Sequence, residues 1–185
     1  MEDHKYIKKP YAFTVESKKN LCIITTNNNE TQRLSMKPST QHSIIIGVIG
    51  ADCHAVGNKI IASVLSGLGF NVINLGVMVS QDEYIDAAIA HNAEAILVSS
   101  IYGHGEIDCK GLRERCIERG IGDTILYVGG NLVIGKKDFE ETKQLFLSMG
   151  YDRVFAPSDD LNEVADYLYM DIDNKTAAEK QYIVA

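Results

Sequence analysis

From Ser43 onward the chain alternates short β-branched apolar runs with longer amphipathic stretches, and this alternation restricts the fold more than any other feature. Residues 44–49, 70–75, 95–99, 125–128 and 153–155 read as strands. Residues 58–68, 81–91, 109–119, 138–149 and 161–170 read as helices. The strands are apolar on both faces and each is followed by a helix. Only a parallel sheet covered on both sides by right-handed crossovers buries such strands.

The expected fold is therefore doubly wound α/β, with five parallel strands in the flavodoxin-like order 2-1-3-4-5. In such a sheet ligands bind beyond the carboxyl ends of the strands, where the strand order reverses. At 185 residues, 45% hydrophobic and 23% charged, the chain has enough apolar material for one such core. The folded domain is expected over 44–170, with residues 1–43 as a flexible extension and 171–185 as a tail. Within the extension, polar letters dominate, including three successive asparagines at 27–29. Only residues 21–25 suggest a strand there.

Charge and composition narrow the function classes. Residues 1–43 carry seven Lys/Arg against four Asp/Glu, about +3, which leaves about −10 on the remainder of a chain with net charge −7. An acidic body argues against a nucleic-acid surface. No run of eighteen apolar residues suggests a membrane span, and Met1 is followed by Glu2, Asp3 and lysines rather than by an export segment, so a soluble cytoplasmic protein is expected. Cys22, Cys53, Cys109 and Cys116 form no Cys-x-x-Cys pair, so reduced thiols are expected rather than disulfides or structural zinc.

Three loops should meet at the functional edge. The loop after the first core strand reads Gly50-Ala51-Asp52-Cys53-His54-Ala55-Val56-Gly57. The loop after the third reads Ser99-Ser100-Ile101-Tyr102-Gly103-His104-Gly105-Glu106, and the one after the fourth Gly129-Gly130-Asn131-Leu132-Val133-Ile134-Gly135. In the first, side chains two residues apart can point the same way, so Asp52 can accept the Nδ1–H of His54 and leave the other ring nitrogen for a metal. The competing reading makes Asp52 a helix cap and His54 a solvated loop residue. Glu106 and Asp108 read as ordinary caps, His91 as a helix-terminal cation, and Glu114 with Glu118 as a wet helix face.

Asp52, His54 and Gly57 spell Asp-x-His-x-x-Gly, Ser99 and Ile101 match Ser-x-Leu with Ile for Leu, and Gly129-Gly130 supplies Gly-Gly. In these motifs the sequence resembles the B12-binding domains of cobalamin-dependent mutases and methyltransferases. Longer strings over about 44–168, such as Ala-Asp-Cys-His-Ala-Val-Gly-Asn-Lys and Tyr-Gly-His-Gly-Glu-Ile-Asp-Cys-Lys, resemble the small subunits of glutamate mutases, also called methylaspartate mutases.

That resemblance implies a subunit holding adenosylcobalamin (coenzyme B12), with its dimethylbenzimidazole base displaced and His54 as axial ligand to cobalt. It implies a slot for the displaced tail, with Ala51, Asp52, Cys53, Ala55 and Gly57 around the ligand loop. Ser99, Ser100 and Ile101 would line the slot, and Gly129, Gly130, Asn131, Leu132, Val133, Ile134 and Gly135 would border the cofactor. It further implies a large catalytic subunit of barrel fold, two copies of each chain, and radical rearrangement of L-glutamate to L-threo-3-methylaspartate. No arginine cluster for a dicarboxylate stands in the three loops, in keeping with substrate held by the partner and a chain inactive alone. Tyr102 and His104 stand open between interface and chemistry. The segment Ala156-Pro157-Ser158-Asp159-Asp160 departs from the glycine and threonine expected there, which puts tail contacts from that loop in question.

Other readings weaken on particular residues. A methyl-transfer corrinoid protein would use the same loops but usually carries a preceding helical bundle, for which 1–43 is too short and polar. A dinucleotide site lacks its glycine fingerprint, and Asn74-Leu75-Gly76 puts no acid at the end of the second core strand. Zinc on Cys53, His54, Cys109 and Cys116 needs improbable spacing. A B12-dependent sensor remains open.

Overall fold

The computed structural model describes residues 14–18, 21–25, 31–35, 41–133 and 138–183. The chain divides into two units, Met1–Gln41 and His42–Ala185. In the first, β1 (Thr14–Lys18), β2 (Leu21–Thr25) and β3 (Thr31–Ser35) form an antiparallel sheet in the order β1-β2-β3. Thr14 pairs with Thr25, and Thr25 with Thr31. Sequence composition suggested only the middle strand. The outer two are polar, and pairing along the apolar β2 supplies the backbone partners that their own letters do not announce.

The second unit contains β4 (Ser43–Val48), β5 (Asn71–Asn74), β6 (Ala95–Ser99), β7 (Ile125–Gly129) and β8 (Arg153–Phe155), all parallel, in the order β5-β4-β6-β7-β8. Numbered from β4, this is the expected 2-1-3-4-5 order. The helices are α1 (Ala55–Gly67), α2 (Gln81–His91), α3 (Gly105–Cys109), α4 (Leu112–Glu118), α5 (Phe139–Ser148) and α6 (Leu161–Ile183).

Alternate strand residues feed two apolar layers, as the two-residue side-chain period requires. Ile45, Ile96, Val98, Leu126 and Val128 pack with Tyr84, Leu112, Phe146 and Tyr151 on one side. Ile44, Ile46, Leu97 and Tyr127 pack with Leu65, Val164, Leu168 and Ile172 on the other. Ser80 starts α2 with a reciprocal capping box to Glu83, and Asp138 caps α5 by accepting from the Glu140 N–H.

Three helices differ from expectation. The first begins at Ala55 rather than after Gly57, which puts Gly57 inside α1. The single helix read over 109–119 is two, because Lys110 is extended and Gly111 lies at φ +89°, a left-handed conformation that interrupts the α-helical ladder. The last helix does not stop at 170. Its buried residues Val164, Leu168 and Ile172 keep a four-residue period, no Gly or Pro interrupts it, and Asp171 has partners on the sheet. Residues 171–183, read from composition as tail, are therefore helical.

Candidate functional site

The carboxyl ends of β4, β6 and β7 carry the three loops. Gly50, at φ +72°, turns the chain out of β4, and its N–H donates to the Val79 carbonyl at 3.0 Å. Asp52 is buried although three residues from a helix start. Its Oδ1 accepts from the His54 backbone N–H at 3.0 Å and lies 2.5 Å from His54 Nδ1, while Oδ2 accepts from the Ile101 N–H at 2.7 Å.

His54 is the N-cap residue of α1 and makes no side-chain cap hydrogen bond. The carboxylate is thus committed to orienting the imidazole and to the neighbouring loop. With Nδ1 facing a carboxylate, the proton sits on Nδ1 and Nε2 keeps its lone pair. The His54 side chain is 53% exposed while that of Asp52 is fully buried, so the ring stands outward on a fixed base.

Burial works to raise the Asp52 carboxyl. The Ile101 N–H and the ring and backbone of His54 outweigh it and hold the group below the usual carboxylate range. The anion is therefore the resting form that keeps the imidazole in one tautomer.

Beside this loop an apolar cavity of about 340 Å³ opens between α1 and the sheet. Gly57, Ile60 and Ile61 form the helix wall. Ser99, Ile101, Gly129 and Gly130 come from the loops, and Ala156, Pro157 and Asp159 close the far side. A Cβ at Gly57 would meet no protein atom within 4 Å, so that wall is bare. At Gly130 (φ +117°) a Cβ would instead collide with the Ser100 carbonyl, and glycine there lets the β6 and β7 loops touch. Ser100 is fully buried, and its hydroxyl has no partner among the described residues.

These features suit a large ligand carrying its own metal. A single outward imidazole nitrogen offers one coordinate bond, and the cavity accepts an apolar or aromatic group. Zinc held by protein alone has no support. Cys109 and Cys116 lie in the core while Cys53 and His54 are exposed, and no three His, Cys, Asp or Glu side chains converge among the described residues.

The structure does not bring every expected residue to the cavity. Leu132 is buried in the core on the opposite side of the sheet, and Val133 bridges to His104. Asn131 is exposed, Ser100 is fully buried, and neither belongs to the cavity wall. Ala51 and Cys53 belong to the ligand loop and Ala55 opens α1, none of them in the wall, while Ile134 and Gly135 lie outside the described residues. Ile60, 54% exposed, was overlooked. Its signal was an apolar residue one helical turn beyond Gly57 on an otherwise wet face. The segment 156–160, questioned on its letters, does border the cavity, held by the Ala156 N–H to Asp159 Oδ2 bond at 2.8 Å.

A parallel sheet with an outward, carboxylate-backed histidine beside a slot defines a corrinoid-binding module, and residues 42–165 match the B12 binding domain family. The glutamate mutase sigma subunit of Escherichia coli O157:H7 is 64% identical over 140 residues, which cover 76% of this chain and 92% of that one. That of Carboxydothermus hydrogenoformans is 60% identical over 115 residues, covering 62% and 84%. The chain belongs to the glutamate mutase sigma subunit family, with its B12 binding domain. Among solved structures, a cobalamin-binding protein from Desulfitobacterium hafniense superposes with a TM-score of 0.58 at 17% identity, over 71% of this chain and 60% of that one, a likeness of fold.

Proposed function

We propose that this chain is the cobalamin-carrying subunit of a glutamate mutase, working in the cytoplasm with a larger catalytic subunit of barrel fold, two copies of each. Together they interconvert L-glutamate and L-threo-3-methylaspartate. The observation that carries the reading is the Asp52–His54 couple, with Nδ1 held at 2.5 Å and the ring outward. The relatives' shared name, glutamate mutase sigma subunit, supports the substrate and the need for a partner.

In this reading the cofactor is adenosylcobalamin, which supplies a carbon-centred radical by homolysis of its cobalt–carbon bond. His54 would hold cobalt through Nε2. Asp52 fixes the tautomer and strengthens the imidazole as a donor. Gly57, Ile60, Ser99, Ile101 and Gly130 would receive the displaced nucleotide tail and keep water from it. Among the described residues the first unit is all strand, with no helical bundle of the kind expected of a methyl-transfer corrinoid protein.

The test is direct. The protein is mixed with adenosylcobalamin, freed of unbound cofactor, and its absorption spectrum recorded. A base-off, histidine-ligated spectrum that vanishes in His54→Ala is expected; binding untouched by that substitution would overturn the reading. Rearrangement of glutamate should appear only when the large subunit is added, and activity of this chain alone would refute the division of labour.

A further inference from the structure

The His54 loop has no helix-capping side chain of its own, yet its carboxylate meets Ile101 from the loop after β6. What holds the two loops in register lies one residue away on each. Tyr102 follows Ile101, and its hydroxyl donates to Asp108 Oδ2. The backbone of Ala51, the residue before Asp52, lies against the same phenol oxygen. The Asp108 carboxylate itself fills the space over Gly50 where a Cβ would otherwise stand.

Asp108 is in turn anchored. It lies in α3, and the Gln81 side chain donates to its carbonyl at 2.6 Å and to that of Lys110 at 3.0 Å. As the fourth residue of α3 it is no N-cap, which corrects the capping role read from its letter. The contacts close a ring: Asp52 to the Ile101 N–H, along the chain to Tyr102, through its hydroxyl to Asp108, and back over Gly50 and Ala51 to Asp52.

We infer that Tyr102 and Asp108 are positioning residues for the Asp52–His54 couple, their hydrogen bond fixing the Ile101 N–H on the carboxylate and so the tautomer and direction of the imidazole. Neither needs to touch the cofactor. A phenol donating to a carboxylate is a charge-assisted bond, stiffer than a neutral one, and suits a clamp between two irregular loops. The raised Tyr102 hydroxyl, caused first by the Asp108 bond, keeps the donor protonated. Because the Asp108 carboxylate lies over Gly50, the clamp acts on the backbone of the ligand loop itself.

The inference rests on His54 being the cobalt ligand, but its test does not need cobalamin. In cofactor-free protein at pH about 8, above the ordinary imidazole range, nitrogen NMR of the His54 ring should show the proton on Nδ1 alone. Tyr102→Phe and Asp108→Ala should populate both tautomers and speed exchange of the Ile101 amide about tenfold or more, the sign of a locally opened contact. Asp108→Asn keeps an oxygen that can accept the phenol proton and should retain the wild-type pattern. An unchanged ring and unchanged exchange in Tyr102→Phe, which loses one oxygen and nothing else, would overturn the inference. So would Asp108→Asn behaving like Asp108→Ala. Either failure leaves the ligand assignment standing, whereas cobalamin binding indifferent to His54→Ala removes that assignment and not the clamp.

Discussion

Arg153 on β8 and Asp171 on α6 are joined by two hydrogen bonds, Nε to Oδ2 at 2.7 Å and Nη2 to Oδ1 at 2.9 Å, and Tyr127 donates to the same carboxylate at 2.7 Å. The Arg153 guanidinium also lies 4.2 Å from the centre of the Tyr167 ring. Tyr127 lines the cavity, so one pair ties the last helix to the edge of the sheet and to the cavity floor.

Asp171→Ala should therefore lower unfolding stability by about 2 kcal/mol, between exposed and fully buried pairs. The Arg153 bonds first, with the Tyr127 bond adding to them, outweigh the burial that works to raise the Asp171 carboxyl and hold the group below the usual range. A depressed folded value means the contribution is complete above the unfolded carboxylate value of about 3.9 and is lost as pH falls through the lower folded value. Urea unfolding of wild type and Asp171→Asn should differ at pH 7, and the gap should close on acidification below about 4.

Asp52→Asn should leave the fold in place, since the amide oxygen can still accept one of the three donors, but the ring loses its anionic partner. Cobalamin affinity is expected to fall about 10- to 100-fold, the usual scale for groups behind a metal ligand. Titration followed by the visible spectrum measures it, and unchanged affinity would remove Asp52 from the site.

Two glycines should answer oppositely to added side chains. Gly130→Ala forces a Cβ into the Ser100 carbonyl at a positive φ and should cost about 2 kcal/mol or more of stability. Gly57→Leu meets no protein atom near its Cβ and gains helix propensity, so stability should rise by up to about 1 kcal/mol. Cobalamin binding should nonetheless weaken, because the new side chain occupies the cavity wall. Thermal melts and cofactor titration of the two variants separate fold from fit.

The three described core-unit cysteines should differ in reactivity. Burial first, with a lesser opposing bond from Tyr151, pushes the Cys109 thiol up to about 12, and Cys116 is also raised by burial. Cys53 is exposed beside His54. Brief treatment with iodoacetamide at pH 8 should modify Cys53 and spare the other two, as peptide mass mapping will reveal; labelling of Cys109 at the same rate would contradict the packed core.

The parallel sheet was legible because β4, β6 and β7 are apolar on both faces, and its order followed from the usual arrangement of five such strands. The Asp52–His54 contact was legible because it joins two side chains at a readable spacing. Its third member was not, since the Ile101 N–H is backbone and every residue but proline has one. The break at Gly111 hid inside an otherwise helical pattern, and α6 hid its length behind Asp171, Asp173 and Asn174, polar letters that say nothing of the Arg153 partner. The 156–160 segment was judged by the side chains it lacks, whereas Ala156, Pro157 and Asp159 do border the cavity.

The cavity's walls come from residues as far apart in the chain as Gly57 and Leu161, with β6 and β7 contributing between them. A ligand there finds its complete binding surface only once the last helix has docked, so its contacts belong to the finished fold rather than to any part of it. Occupancy should then leave the folding arm of a chevron plot almost where it was and lower the unfolding arm, making the loaded protein longer-lived rather than faster to form.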